Sequence, residues 1–235
     1  MQTQLKNILF LDIETVPEEH SFEELNTVQQ ELFTKKTQYQ RKEEFTAQEF
    51  YERAGIWAEF GKIVCISVGF FGDNTSFRLK SYYGDDEVKI LLEFKELLEN
   101  YYNQKNHVLC AHNGKEFDFP YIARRMIINK INLPEKLNLF GKKPWEVAHL
   151  DTLEMWKFGD YKHYTSLNLL TNILGIPSPK GDIDGSQVAK VYYQEKDLQR
   201  IAVYCEKDTL AVAQVYLRFM NLDLLNEEQV TRVEN

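Results

Sequence analysis

Asp12 and Glu14 stand two residues apart at the end of an apolar run, Ile8-Leu9-Phe10-Leu11. A continuous run of this kind predicts a strand covered on both faces. Spacing by two puts both carboxylates on the same side of that strand. Adjacent acids at the edge of a core raise each other's pKa, and desolvation raises both. A divalent cation reverses that balance, because it supplies a larger opposite charge. An ordinary solvated strand end is the competing reading of the pair. Asp118 follows Asn113-Gly114-Lys115-Glu116-Phe117, where a short strand, His107 to His112, gives way to a helix. Open α/β sheets build their sites at such strand ends, and Asn113-Gly114 suits a tight turn. A plain helix N-terminal acid is the other reading of Asp118. Asp208 falls inside a long helical pattern, with Tyr204 one turn earlier on the same face. A buried mid-helix aspartate is costly unless paired or ligated, and aspartate is a poor helix former. Asp208 is therefore either a functional residue or half of an ion pair.

The elements that must position these groups follow from periodicity. A second buried strand runs from Ile63 to Phe71, rich in β-branched residues. Gly72-Asp73-Asn74 marks a turn, and Ser76 to Tyr82 alternates as a third strand, paired with the second as a hairpin. Asp85 and Asp86 open a helix through about Tyr102, where acids suit the helix dipole. After the strand at His107 and its helix, Trp145 to Leu150 reads as a weaker strand leading into Asp151-Thr152. Ser166 to Leu174 reads as a helix stopped by Gly175 and Pro177. Ser186 is placed to cap a short helix, and a long helix follows from about Glu195 to Met220. Between the first two strands, residues from about 18 to 60 form a helical insertion. Phe22, Leu25, Val28, Leu32 and Phe33 recur in it at helical spacing. It is either a surface excursion or a lid beside the acid pair. A hairpin followed by strands alternating with helices predicts a mixed sheet with helices on both faces.

Composition bounds the function. The 235 residues are 43% hydrophobic and 13% aromatic, enough for one sizeable core. No Pro/Gly/Ser-rich linker divides them, so the expectation is a single domain, residues 1 to 235, carrying the insertion. The net charge is −8, so nucleic acid would be held by a local groove and bound metal rather than by the field of the whole molecule. Cys65, Cys110 and Cys205 are far apart with no C-x-x-C, which excludes a disulfide framework and a structural zinc knuckle. Three reduced thiols point to a reducing cytoplasm. No stretch is long enough to span a bilayer, and the apolar run broken by Asp12 is no signal peptide. Asp182-x-Asp184-Gly185 resembles part of a calcium loop, but Tyr193 occupies the position that needs glutamate. His107, His112, His149 and His163 form no H-x-x-x-H pair, and zinc hydrolase chemistry has no support.

Asp12-Ile13-Glu14-Thr15, Asn113-Gly114-x-x-Phe117-Asp118 and Tyr204-x-x-x-Asp208 together resemble the three motifs of the DEDD 3′–5′ exonucleases of the ribonuclease-H-like superfamily. The tyrosine four residues before the last aspartate resembles the DEDDy branch; the DEDDh branch would want histidine where Val203 stands. The proofreading exonuclease domain of family B DNA polymerases, in a stand-alone bacterial form, is similar. Phe60-Gly61-Lys62, His149-Leu150-Asp151-Thr152 and the stretch from Ser166 to Ile176 extend the likeness over most of the chain. The resemblance implies an α/β, ribonuclease-H-like fold with a mixed five-stranded sheet, an antiparallel hairpin plus parallel strands, flanked by helices. It implies a metal-dependent 3′–5′ exonuclease that releases nucleoside 5′-monophosphates from single-stranded 3′ ends.

On this resemblance Asp12, Glu14, Asp118 and Asp208 hold two Mg²⁺ or Mn²⁺ ions about 4 Å apart. An oxygen-only ligand set suits those hard ions rather than zinc. Asp12 bridges both ions, Glu14 and Asp208 complete the first site, and Asp118 serves the second. Tyr204 orients the attacking water, since a general base would need a pKa well below the phenolic value of about 10. Asn113, Phe117 and Thr15 are candidate contacts to the terminal nucleotide. Arg124, Arg125, Lys130, Lys142 and Lys143 either track the phosphate backbone or form a solvated face. DNA is favoured over RNA, with repair or replication proteins as partners in trans. The rivals are an RNA-trimming exonuclease of the same fold, a non-catalytic nucleic-acid- or protein-binding module, and a ribonuclease-H-type endonuclease. The intact acid set argues against the binding module, and the Tyr-x-x-x-Asp motif argues against the endonuclease.

Overall fold

The computed structural model describes residues 5–41, 44–72, 76–160, 164–177 and 182–233. The turn at Gly72-Asp73-Asn74 lies mostly outside them, as does His163. The strands are β1 (Ile8–Pro17), β2 (Gly61–Phe71), β3 (Phe77–Tyr83), β4 (Val108–Ala111), β5 (Leu150–Asp151) and β6 (Val230–Arg232). They form one sheet in the order β5-β4-β1-β2-β3-β6. β2 runs antiparallel to both β1 and β3, while β4 pairs parallel to β1, β5 to β4 and β6 to β3. The mixed sheet is as expected, but it has six strands, not five. β6 carries only Val-Thr-Arg, too short to show a period; pairing with the free edge of β3 makes it a strand.

The helices are α1 (Thr27–Arg41), α2 (Ala47–Phe50), α3 (Glu87–Tyr101), α4 (Asp118–Ile128), α5 (Thr152–Lys157), α6 (Leu167–Ile173), α7 (Val188–Lys190) and α8 (Leu198–Phe219). Both faces of β1 are covered, which explains its unbroken apolar run. Leu9, Leu11 and Ile13 pack on α3 and α4 residues such as Phe94, Phe119 and Ile122. Ile8 and Phe10 pack on the other face with Val212, Ala213 and Leu217 of α8. Full burial of each such side chain contributes roughly 2 kcal/mol.

Three local expectations change. Trp145 to Leu150 is not a strand: Pro144–Glu146 is a 3-10 turn, and only Leu150 and Asp151 pair, with Cys110 and Ala111. Pro144 has a fixed φ and no N–H to donate. Ser186 does not cap a helix; Gln187 occupies that position, and Ser186 donates its hydroxyl and N–H to the Asp184 carboxylate. In the insertion, Leu25 and Phe33 are buried but Val28 and Leu32 are exposed. Its core is a knot of rings, with Phe33 edge-on to Tyr51, Trp57 and Phe60.

A buried ion pair ties the insertion to the sheet. Arg125 of α4 donates Nε and Nη2 to the Glu87 carboxylate at 2.8 and 2.5 Å. It also reaches the Ala58 carbonyl at 2.9 Å and Glu18 at 2.9 Å. Arg125 is thus structural and no phosphate contact, whereas its neighbour Arg124 is exposed. Adjacent helix positions point 100° apart, so one arginine faces the core and the other solvent.

Candidate active site

β1 presents the first two acids by simple alternation. Ile8, Phe10, Asp12, Glu14 and Val16 alternate onto one face; Ile8 and Phe10 pack on Val212, Ala213 and Leu217 of α8, Val16 packs on Ile201, Ala202 and Cys205, and the two acids stand between them. A register shift between Glu14 and Thr15 pairs Glu14 with Cys65 and Thr15 with Ile63, leaving Val64 as the extra residue of a bulge in β2. Bulges next to sites re-aim side chains in this way.

Asp118 arrives from the other side. The pairing of β4 with β1 ends at Phe10–Cys110, so β1 continues past its neighbour with open N–H groups. The one on Ile13 faces the Asp118 carboxyl and offsets part of the rise that burial gives its pKa. The chain reaches that place through a turn in which Asn113 has φ 65°, a left-handed conformation that asparagine tolerates. Gly114 lies so close to Ala111 that an added Cβ would come within 2.5 Å of the Ala111 methyl group. Asp151, at the end of β5, accepts from the Asn113 and Lys115 N–H groups at 2.9 and 3.0 Å and caps α5 through Leu153 at 2.9 Å. One buried carboxylate therefore fixes the whole turn that delivers Asp118.

α8 supplies Tyr204 and Asp208 from one face, one turn apart, with the phenol close enough to the carboxyl to offset part of the rise that burial gives it. Side chains on the same helix set its register against the sheet. Ser81 donates to Glu206 at 2.8 Å, and Thr209 donates to the Ser67 carbonyl at 3.3 Å. Cys205 donates its thiol to Asp12, at 3.3 Å to the carbonyl and 3.4 Å to Oδ2. Ligand atoms of Asp12, Glu14 and Cys205 all lie within 4.8 Å of one another.

The four acids form one electrostatic unit. Burial pushes the Asp12 and Glu14 carboxyls well above the carboxylate range, and the neighbouring acids, Asp208 and Asp118 among them, push them further. Burial raises Asp118 to about 7 and Asp208 to about 6. None of the ion pairs among the described residues involves any of the four. Carboxylate oxygens gathered in this way are a donor set that a divalent cation could occupy, with Lys207 the one cation that offsets charge on Asp208 among the described residues. Cys205 does not alter that match, because burial, Cys65 and the acids raise its pKa and keep it a neutral thiol. Tyr204 is likewise pushed up, first by burial and then by Asp208, Glu14 and Asp12, so its hydroxyl keeps its proton. A cleft of about 750 Å³ opens onto this cluster through Tyr204 and Asp208, with Asn168, Asn172, Gln187 and Lys207 in its walls.

The structure thus brings Asp12, Glu14, Asp118, Tyr204 and Asp208 together. Asn113 and Phe117 sit in the turn before Asp118, with Phe117 packed 5.3 Å from the Tyr121 ring. Thr15 belongs to the opposite face of β1, and its hydroxyl is bonded to Tyr121. The described histidines serve the frame. His149 accepts from Leu109 N–H at 3.2 Å and donates to the Lys136 carbonyl at 2.7 Å; burial depresses its pKa to about 4. His112 bridges Thr152 and the Thr165 carbonyl. Asp182 of the calcium-like fragment pairs with Arg200 at 2.6 Å. Sequence reasoning missed Cys205 as a neighbour of Asp12, although its place next to Tyr204 was a signal. It gave Asp151 no role, and it missed Tyr164, whose phenol is raised by burial and by Asp118.

A mixed α/β sheet of this strand order, flanked by helices, is the architecture of a polymerase-type exonuclease domain. The chain overlays a family B DNA polymerase from the hyperthermophilic archaeon Pyrobaculum calidifontis with a TM-score of 0.55 at 16% identity. That match covers 89% of this chain and 24% of the polymerase, so the chain spans about a quarter of that protein's length. Residues 56–234 match the family described as a predicted 3′–5′ exonuclease related to the exonuclease domain of PolB, and the chain belongs to that family. No helix among the described residues is long and apolar enough to cross a membrane.

Proposed function

We propose that this chain is one DEDDy-type catalytic unit that hydrolyses the terminal phosphodiester of single-stranded DNA from its 3′ end, releasing nucleoside 5′-monophosphates. The observation that carries the reading is the convergence of Asp12, Glu14, Asp118 and Asp208, buried together and in no ion pair among the described residues. Those four would hold two divalent ions, Mg²⁺ or Mn²⁺. When bound, the ions supply Lewis-acid activation of water and neutralise charge developing on the phosphate.

The chain's own residues do the rest. Cys205 holds the Asp12 carboxylate in position by its hydrogen bond. Tyr204 keeps its proton, so it acts as a hydrogen-bonding group that orients the attacking water, and not as a base. Phe117, beside Asp118, offers a ring edge to the terminal base, and Asn113 a polar contact from the turn. The free thiols suit action in a reducing cytoplasm, with replication or repair proteins as partners in trans.

The test is a gel assay with 5′-labelled single-stranded DNA and RNA of one sequence, in Mg²⁺, Mn²⁺ or EDTA, comparing wild type with Asp12→Ala. The expected result is a metal-dependent ladder shortening from the 3′ end, faster on DNA and lost in the variant. Mid-chain cuts, or no cleavage with either metal, would overturn the proposal.

A further inference from the structure

We propose that a groove leaving the Asn113 turn between α4 and the segment from 133 to 147 carries the single strand on the 5′ side of the bond that is cut. The inference rests on the exonuclease reading and extends it to the path of the substrate. Two hollows adjoin there. The inner one, about 320 Å³, is lined by Asn113, Lys115, Pro144 and Asp151. The outer one, about 370 Å³, is lined by Lys115, Arg124, Phe140, Lys142 and Pro144 among others. They share Lys115 and Pro144, so they are neighbours, and the inner one reaches Asn113, five residues before Asp118.

The inner hollow mixes Lys115 and Lys157 with Glu116, Asp151 and Glu154, and the charge turns positive in the outer one. The outer hollow holds Lys115, Arg124 and Lys142 and no carboxylate, in a chain whose net charge is −8. Arg124 and Lys142 take no part in the ion pairs among the described residues; Lys115 is met by Glu154 at 2.5 Å.

Aromatic rings complete the pattern. Phe140 in the groove wall is 73% exposed, and Trp145 at its rim is 75% exposed with the Lys143 ammonium 5.2 Å over its ring. Large exposed aromatics in a basic groove match the way sequence-tolerant single-strand sites are built. Cations follow the phosphates, and rings stack on bases. The local groove also resolves how an acidic protein holds an anionic polymer.

The test uses wild type, the double variant Arg124→Ala/Lys142→Ala, and Phe140→Ala; all three side chains are exposed, so the fold is kept. Binding of a fluorescein-labelled oligo(dT) of about 12 nucleotides is followed by anisotropy in EDTA across a salt series. The double variant is expected to bind about 10-fold more weakly, and its slope of log K against log salt to fall by about 1.4. Phe140→Ala is expected to weaken binding about 5-fold or more. Turnover of a dinucleotide, which is too short to reach the groove, stays at the wild-type value. Unchanged oligomer affinity and salt slope in the variants would overturn the groove, including the case where it receives a protein instead. Wild type that binds with the expected slope but cleaves neither substrate would overturn the exonuclease reading and leave the groove standing.

Discussion

The backbone N–H of Ile13, the residue that separates Asp12 from Glu14, faces the Asp118 carboxyl and offsets part of the rise that burial gives its pKa. The helix-borne acid thus meets the strand that carries the other two. It can do so because β4 stops pairing at Cys110 and leaves β1 with an open edge. The same short strand that truncates the sheet creates the gap in which the acids gather.

Gathering them has a cost that depends on pH. Asp118 and Asp208 lose their protons near 7 and near 6 in the fold, against about 4 for an unstructured aspartate. Their folded pKa values are raised, so the unfolded chain releases these protons first as pH rises. Metal-free protein therefore loses stability from these groups between about pH 4 and pH 7, and below that window the penalty vanishes. Asp118→Asn removes one such charge. In EDTA at neutral pH the variant is expected to melt about 3–8 °C above wild type, with the gap closing toward pH 4. Mg²⁺ should raise the melting temperature of wild type at neutral pH, and raise that of the variant less. A gap that is constant with pH, or reversed, would refute the buried-charge account.

Tyr204 gives a sharper mechanistic test. Its phenol is held protonated by burial and by three acids. Tyr204→Phe is expected to lower kcat about 10²-fold by misplacing the water, with KM little changed. The pH–rate profile should keep its shape, because no tyrosine proton is lost on the rising limb. Disappearance of a limb in the variant would assign Tyr204 a proton-transfer role instead.

Arg125 separates frame from chemistry. Its guanidinium is buried against Glu87, so removing it leaves a buried carboxylate without its partner, at a cost of about 3–5 kcal/mol. Arg125→Met should lower the melting temperature by about 10 °C. The kcat of the folded fraction should change less than twofold, and the salt dependence of strand binding should match wild type. A lower salt slope would show that Arg125 meets phosphate after all.

The sequence by itself determined which side chains share a face and most of the frame. Spacing by two in Asp12-Ile13-Glu14 and by four in Tyr204-x-x-x-Asp208 states which side chains share a face, because strand and helix periods are properties of the backbone. The strand at Ile8, the hairpin and the long final helix were legible for the same reason, since each is long enough to display its period. β6 and β5 were not, at three and two residues. They are strands only because a neighbour offers an edge. Only the tertiary structure decided which of two adjacent arginines is structural, that Thr15 faces Tyr121, and that Cys205 touches Asp12. It also placed Asp151 under the turn that delivers Asp118. These are contacts between segments tens to hundreds of residues apart, such as Asp12 and Cys205, 193 positions apart in the numbering. No local period encodes such a contact; it is set by how the helices pack on the two faces of the sheet.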